Sequence, residues 1–219
     1  MSIQVIDENK AKFEALVRSI KREGADVEGL LNYLEDCDFY FAPNTSKEGK
    51  FAYDGGLCAH SIETYQAMCG MVYASLTEEK DWISIQSKED WKESVKIVAL
   101  FHDLYKCNFY EKYQRNVKIY RANGAKIDED GQRFDWTTKT AYKVMDDNER
   151  ENFGSSGLKS YFILKRFIPL TEDESVAIIN NSLDGNKDTY RELNSLFVSN
   201  NLLTYLHCAD TLSSFVKEI

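Results

Sequence analysis

The stretch Ile97-Val98-Ala99-Leu100-Phe101-His102-Asp103-Leu104-Tyr105-Lys106 is the most informative part of this sequence. An apolar run leads into the pair His102-Asp103, and Lys106 follows about one helical turn later. A helix that is apolar on most sides is usually buried, so the pattern predicts a buried helix over 91–106. An imidazole beside a carboxylate can chelate one divalent cation through a nitrogen and an oxygen. The stretch therefore predicts a core helix that carries a metal-capable pair.

Helical patterns recur on both sides of this stretch. Apolar spacing and capping residues, including the capping box Thr171 to Glu174, predict helices over 8–21, from 27 onward, and over 57–75, 158–167, 172–181, 189–198 and 202–216. Between 115 and 145, period-two alternation over 117–121, a turn at 128–131 and an aromatic and β-branched run over 134–142 predict a β-hairpin. No repeat or Pro-rich linker divides the chain. We therefore expect one domain over 1–219, mostly α, with a β-hairpin inserted at about 115–145.

The composition limits the possible classes of function. A net charge of −9 argues against broad nucleic-acid binding, which leaves a basic footprint, although a local lysine cluster can still bind a small anion. Five cysteines without a CxxC motif fit reduced thiols, and we interpret Cys58, Cys107 and Cys208 as small core residues. Neither a signal-peptide pattern nor an apolar run long enough to span a bilayer is evident. We expect a cytoplasmic protein without membrane contact; its oligomeric state stays open.

The chain has three histidines, and the other two also lie in distinctive settings. His60 ends the run Gly55-Gly56-Leu57-Cys58-Ala59-His60, and His207 begins the run His207-Cys208-Ala209-Asp210. Taken alone, His60 reads as a buried, hydrogen-bonded histidine and Asp210 as a cap or ion-pair partner. Their order around His102-Asp103 resembles the H…HD…D signature of the HD-domain metal-dependent phosphohydrolases.

This resemblance implies a fold and a ligand set. In HD-domain proteins the first His, the HD pair and the late Asp come from successive helices of a compact bundle and meet at one metal, which here implies the ligands His60, His102, Asp103 and Asp210. Lys106 falls where many such proteins carry the lysine of an HDxxK run, which holds a phosphate as a point charge. Its alternative is a surface lysine at a helix C-terminus. Small HD proteins of Gram-positive bacteria and their phages are similar along most of the chain.

The expected donor set favours particular metals and a particular chemistry. Two imidazoles and two carboxylates suit one Mn²⁺, Fe²⁺, Co²⁺ or Ni²⁺ ion better than Mg²⁺, which prefers oxygen ligands. Such an ion polarises a phosphoryl oxygen and acidifies water, so we expect hydrolysis of a small phosphorylated substrate, a nucleotide or a related ester. The candidate catalytic residues are Asp103, Lys106 and His207, the last either a general acid or a bystander. The candidate substrate-binding residues are Lys106, Arg115 and Lys159.

The chain also departs from the HD pattern. It has no histidine between Asp103 and His207, which favours one metal over a bridged pair. Where the small HD proteins carry G-H-G-x-K-S this chain has Ser155-Ser156-Gly157-Leu158-Lys159-Ser160, and a Trp-His pair expected near Asn180-Asn181 is missing. Two alternatives follow. One is a catalytically inactive HD-fold module that binds nucleotides. The other is a helical interaction protein with an incidental HD pair, which requires His60 and Asp210 to lie far from His102.

Overall fold

The computed structural model of the chain describes residues 3–76, 88–146, 155–182 and 189–216. Its helices are α1 (Ile3–Arg18), α2 (Val27–Asp36), α3 (Gly56–Leu76), α4 (Lys88–Phe101), α5 (Ser156–Leu164), α6 (Glu172–Asn180), α7 (Thr189–Ser199) and α8 (Asn201–Phe215), with a short 3-10 helix at Leu104–Lys106. The strands are β1 (Tyr110–Tyr120), β2 (Lys126–Ile127) and β3 (Arg133–Val144). The prediction of a mostly α protein with a small inserted antiparallel sheet is confirmed at this level.

Side-chain caps begin several of these helices. Asp26 accepts a hydrogen bond from the backbone N–H of Gly29 at the start of α2, and Asn200 does the same for Leu203 at the start of α8. The predicted capping box at α6 is present, with Thr171 and Glu174 bonded to each other's backbone N–H groups. Each cap satisfies an N–H group that the helix itself leaves unpaired.

The core lies where α3, α4, α6 and α8 pack together. Residues Ile97 to Phe101 of α4 are completely buried, which explains why the sequence is apolar there at every position. The ring of Phe101 packs edge-on against Phe13 of α1 at 5.8 Å, and Phe13 also contacts Phe39 and Tyr40. Helix α4 therefore runs through the centre of the protein and delivers its C-terminal end to the interior.

Several predicted boundaries differ from the structure: α1 spans Ile3–Arg18 and not 8–21, and α5 spans Ser156–Leu164 and not 158–167. Helix α4 ends at Phe101 and not at Lys106, because Asp103 adopts a turn conformation (φ −101°, ψ 16°) before the 3-10 helix. The hairpin begins at Tyr110 and not near 115. Its first five residues, Tyr110 to Gln114, do not alternate between apolar and polar side chains. The whole of β1 nevertheless pairs with β3, from Tyr110 opposite Val144 to Tyr120 opposite Phe134. Strand β2 adds a third strand beside β3.

Other features predicted from the sequence also lie within the described residues. Cys58 and Cys107 are buried as expected, but Cys208 is exposed on α8, so it is not a core residue. In the run that begins Ser155-Ser156-Gly157, Ser155 caps α5 by accepting a hydrogen bond from the backbone N–H of Leu158. Within the described ranges, no helix combines the length and apolar character needed to cross a membrane.

Candidate metal centre

His60 lies in the first turns of α3, held there by the loop that precedes the helix. Gly55 has a positive φ of 83°, and a Cβ atom on Gly56 would lie 2.1 Å from the backbone oxygen of Phe51. Glycine is thus required where the loop closes onto the helix start. The closure sets the Phe51 ring edge-on against the His60 imidazole at 5.1 Å. The side chain of His60 is fully buried.

His102 directly follows α4 and keeps one helical hydrogen bond, from its N–H to the carbonyl of Val98 at 3.0 Å. The ring Nδ1 lies 3.0 Å from the carbonyl oxygen of Ala99. A carbonyl can only accept, so Nδ1 must carry a proton, and in the neutral ring the lone pair is left on Nε2. That nitrogen is buried and has no hydrogen-bond partner among the described residues. The local fold therefore points a lone pair of Nε2 into the interior, where this nitrogen is available to bind a metal ion.

Asp210 comes from α8 and is positioned by two neighbours. The side-chain amide of Asn181, just beyond α6, donates to Asp210 Oδ2 at 2.8 Å. The hydroxyl of Ser214, one turn along α8, donates to Oδ1 at 3.4 Å. A carboxylate that accepts hydrogen bonds from fixed donors is held in one orientation. The carboxylate therefore faces His60 and His102.

These side chains converge at one point. Nε2 of His60 lies 3.1 Å from Asp210 Oδ1, and Nε2 of His102 lies 3.9 Å from Asp210 Oδ2. One donor atom from each of His60, His102 and Asp210 lies within 4.8 Å of the others, and this group can hold a metal ion. The incidental-pair alternative required these residues to lie far apart, and they do not.

Asp103 lies beside this three-residue group. Its Oδ2 is 3.4 Å from Nε2 of both His60 and His102. The same oxygen accepts a hydrogen bond from Lys106 Nζ at 2.6 Å, and Lys106 also donates to Asn44 Oδ1 at 2.8 Å. Lys106 is thus held at the edge of the donor group with its charge directed toward it. The proximity of Lys106 to Asp103 follows from the 3-10 helix, in which residues three apart lie above one another.

The electrostatics of the site favour ionised carboxylates. Burial would raise the pKa of Asp103, but Lys106 and the two imidazoles outweigh it and hold that pKa well below the usual range. Burial likewise acts against Asp210, yet the close contact with His60 and the charge of His102 lower its pKa. Burial lowers the pKa of His60, which keeps this ring neutral. Burial also acts to lower the pKa of His102, but the carboxylates raise it overall.

The donor set fits a divalent cation. Each of the two ring nitrogens lies 3.1 to 3.9 Å from an oxygen of each of the two ionised carboxylates, and a cation between them would stabilise this arrangement. His60 can supply its Nε2 because its Nδ1 lies 3.2 Å from the hydroxyl of Ser213, which itself donates to the backbone carbonyl of Asp210. A ligating imidazole normally donates its second N–H in this way. The unpartnered Nε2 of His102 completes the case for a metal.

Three predicted site residues are not brought to this group by any contact among the described residues. Arg115 on β1 pairs with Glu48. Lys159 on α5 is buried, with Nζ 3.5 Å from the carbonyl of Cys107. The ring of His207 packs against Phe197 at 5.2 Å. Their catalytic and substrate-binding roles stay predictions without structural support.

Sequence reasoning missed the residues that orient the donors. Asn181 fixes Asp210, Ser213 contacts His60, and Asn44 holds Lys106. Asn181 is buried, and the pair Asn180-Asn181 after the apolar run of α6 was the available signal. Amides that end a buried helix require hydrogen-bond partners, which directs attention to the neighbouring elements.

The comparisons with known proteins identify no relative of this chain. Neither the protein-family models, nor the curated proteins, nor the solved structures compared with this chain gave a match. The functional interpretation therefore depends on the chemistry of the donor group itself.

Proposed function

We propose that this protein is a metal-dependent phosphohydrolase of the HD-domain type that acts on a nucleotide or a related phosphate ester. The observation that carries the proposal is the buried, unpartnered Nε2 of His102, directed at His60 and Asp210. The order of these residues in the sequence supports the family assignment, and their packing on α3, α8 and the end of α4 is consistent with an HD helical bundle.

Four residues would hold the metal: His60, His102 and Asp210, with Asp103 beside them. The mixed nitrogen and oxygen donors favour one Mn²⁺, Fe²⁺, Co²⁺ or Ni²⁺ ion over Mg²⁺. When bound, such an ion supplies a Lewis acid that neutralises phosphoryl charge and acidifies water. Ala99 and Ser213 hold the two imidazoles in the orientation that this requires.

Lys106 supplies a positive charge in addition to that of the metal ion. Its ammonium lies 2.6 Å from Asp103 and is only partly buried, so it can approach an anion at the donor group while staying near that carboxylate. An ammonium at this position stabilises negative charge that develops on phosphate oxygens during hydrolysis. Asp103, in contact with both imidazoles and with Lys106, would stay ionised and orient the attacking water by accepting a hydrogen bond from it.

The experiment is a turnover panel. Metal-stripped protein is reloaded with Mn²⁺, Co²⁺, Ni²⁺ or Mg²⁺ and incubated with nucleoside mono-, di- and triphosphates and cyclic dinucleotides. We expect release of phosphate or nucleotide with at least one substrate, abolished in the double variant His102→Ala, Asp103→Ala. The variant Asn180→Ala is the control, because its amide donates to the carbonyl of Val176 within its own helix. Metal retention without release from any substrate would reject hydrolysis and favour the nucleotide-binding module.

A further inference from the structure

Two free thiols, those of Cys37 and Cys107, lie against each other although they are far apart in the chain. Cys37 ends α2, and Cys107 directly follows the 3-10 helix. The Cys107 thiol donates a hydrogen bond to the Cys37 sulfur, and the Cys37 thiol donates to the carbonyl oxygen of Leu34 at 3.5 Å. A disulfide requires its two sulfur atoms to lie about 2.05 Å apart. Thiols that are already in contact reach this distance with a small movement.

A second contact holds the backbone beside the two cysteines. Asn108 has a positive φ of 51°, in the left-handed region that asparagine adopts more readily than most residues. In this conformation its backbone N–H donates to Oδ1 of Asp38 at 2.6 Å. The residues that follow Cys37 and Cys107 are therefore bonded to each other. This contact brings the end of α2 and the segment after the 3-10 helix together independently of the thiols.

The two thiols differ in exposure and in acidity. Cys37 is half-buried, whereas Cys107 is completely enclosed. The hydrogen bond from Cys107 lowers the pKa of Cys37 although burial acts against it, and the same bond together with burial raises the pKa of Cys107. The thiolate is the reactive form of cysteine, and oxidation selects the more accessible and more acidic thiol. A small oxidant would therefore react with Cys37, and Cys107 would then react with the oxidised Cys37.

We propose that Cys37 and Cys107 are a redox site at which a small peroxide produces a reversible disulfide. The Cys37 thiolate attacks one oxygen of hydrogen peroxide, the O–O bond breaks, and hydroxide leaves as Cys37 becomes a sulfenic acid. The Cys107 sulfur then attacks the Cys37 sulfur. The S–S bond forms as the S–O bond breaks, and the Cys107 proton leaves with the hydroxyl group as water.

The reaction balances without a further reactant. Two thiols and one peroxide give one disulfide and two molecules of water, since the proton that Cys37 released to solvent neutralises the hydroxide. The peroxide gains the two electrons that the two sulfur atoms lose. A small thiol such as glutathione restores both cysteines by thiol–disulfide exchange.

The redox site lies next to a residue of the candidate metal centre. Cys107 directly follows Lys106, whose Nζ donates to Asp103 at 2.6 Å and to Asn44 at 2.8 Å. A disulfide would draw the Cys107 backbone toward α2 and so displace the Lys106 ammonium from these two acceptors. This consequence rests on the proposed hydrolysis. We expect the disulfide to lower kcat/KM at least about fivefold, the lower end of the usual coupling between two sites.

The test maps the disulfide in full-length, metal-stripped protein that has been treated with hydrogen peroxide. After the peroxide is removed and free thiols are blocked, mass spectrometry of the peptides should find a Cys37–Cys107 cross-link that a thiol reductant removes. In Cys107→Ala, dimedone should instead trap a sulfenic acid on Cys37. In Cys37→Ser, the buried Cys107 should stay unmodified. Cys208→Ser is the matched control, since this exposed cysteine lies on α8, and it should keep the cross-link.

The cross-link in the wild type and its loss in Cys37→Ser support the proposal. No cross-link, or a Cys37 sulfenic acid that persists in the wild type, would overturn it. The effect on turnover is measured after the oxidised protein is loaded with Mn²⁺, with Cys37→Ser treated identically and expected to keep its kcat/KM.

The two proposals fail in different ways, because the mapping requires neither metal nor substrate. A cross-link without turnover in either redox state would retain the redox site and reject hydrolysis. Turnover without a cross-link would retain hydrolysis and reject the redox site. A cross-link that leaves kcat/KM unchanged would reject the effect on Lys106.

Discussion

The side-chain amide of Asn181 donates a hydrogen bond of 2.8 Å to Oδ2 of Asp210, across the contact between α6 and α8. The bond connects two residues that are 29 positions apart in the chain, and it places the carboxylate that the metal centre requires. Asn181 itself is almost completely buried. The precision of the metal centre therefore depends on a residue that is not itself a ligand.

Replacement of Asn181 by alanine is expected to weaken metal binding about 10- to 100-fold, because residues that orient a ligand contribute this much to affinity. The measurement is a calorimetric titration of Mn²⁺ into metal-stripped protein. Asn180→Ala is the matched control, since the Asn180 amide donates to the carbonyl of Val176 within its own helix. Equal affinities in the two variants would show that Asn181 does not position Asp210.

Replacement of Lys106 by methionine is expected to lower kcat/KM about 100-fold while leaving Mn²⁺ affinity intact or improved. The variant removes the charge that stabilises developing phosphate charge, an effect of about 10²–10³ for a single electrostatic donor. It also frees the Asp103 oxygen that Lys106 binds at 2.6 Å. Steady-state kinetics and metal titration are measured on the same preparations.

Two further variants serve as controls for Lys106. Arg115→Ala and Lys159→Met remove the other two positive charges that the sequence suggested for substrate binding. Because Arg115 pairs with Glu48 and Lys159 contacts the carbonyl of Cys107, we expect kcat/KM to change little in either variant. A loss in these variants that equals the loss in Lys106→Met would contradict the assignment of the phosphate contact to Lys106.

The buried ion pair between Arg22 and Glu174 predicts a pH dependence of stability. The two side chains meet through two hydrogen bonds, of 2.7 and 3.0 Å, and Ser94 donates a third to Glu174. Burial would raise the pKa of Glu174, but these donors outweigh it and lower that pKa below the ordinary value. A depressed carboxyl pKa stabilises the folded state fully above the unfolded pKa of about 4.3 and progressively less as pH falls.

The matching variant is Glu174→Gln. At pH 7 we expect it to lower the free energy of unfolding by about 3 kcal/mol, as breaking a buried pair does. Below pH 4 the difference from the wild type should shrink, since the wild-type carboxyl also becomes protonated. Urea unfolding at several pH values measures this difference in the free energy of unfolding. The control is Glu172→Gln, which replaces an exposed glutamate in the same helical turn. A difference that stays constant between pH 7 and pH 3 would contradict the ion-pair explanation.

Much of the fold can be predicted from short-range patterns. The apolar stripe of α1, the capping box of α6 and the period-two alternation in the second half of β1 each reflect interactions between residues close in sequence. The end of α4 at Phe101 was not predictable in this way. It depends on Asp103, which leaves the helical conformation and contacts His60, a residue of another helix.

The residues of the candidate site divide in the same way, into those that short-range patterns predict and those that they do not. His102-Asp103 is readable because its two members are adjacent, and Lys106 because it lies one turn away. That His60 and Asp210 meet them was expected only from the resemblance to HD-domain proteins, since spacing alone cannot bring distant helices together. Asn181 was passed over because its partner lies on another helix. Membership of the HD family, the bound metal and the substrate stay predictions.

The central claim is that His60, His102 and Asp210 hold one divalent ion. The most direct measurement is a titration of Co²⁺ into metal-stripped protein. Calorimetry and the visible absorption spectrum of the bound ion monitor the titration. We predict one site per chain, with affinity lowered at least about 100-fold in His102→Ala and unchanged in His207→Ala. Absence of a stoichiometric site in the wild type, or equal affinity in the two variants, would contradict it.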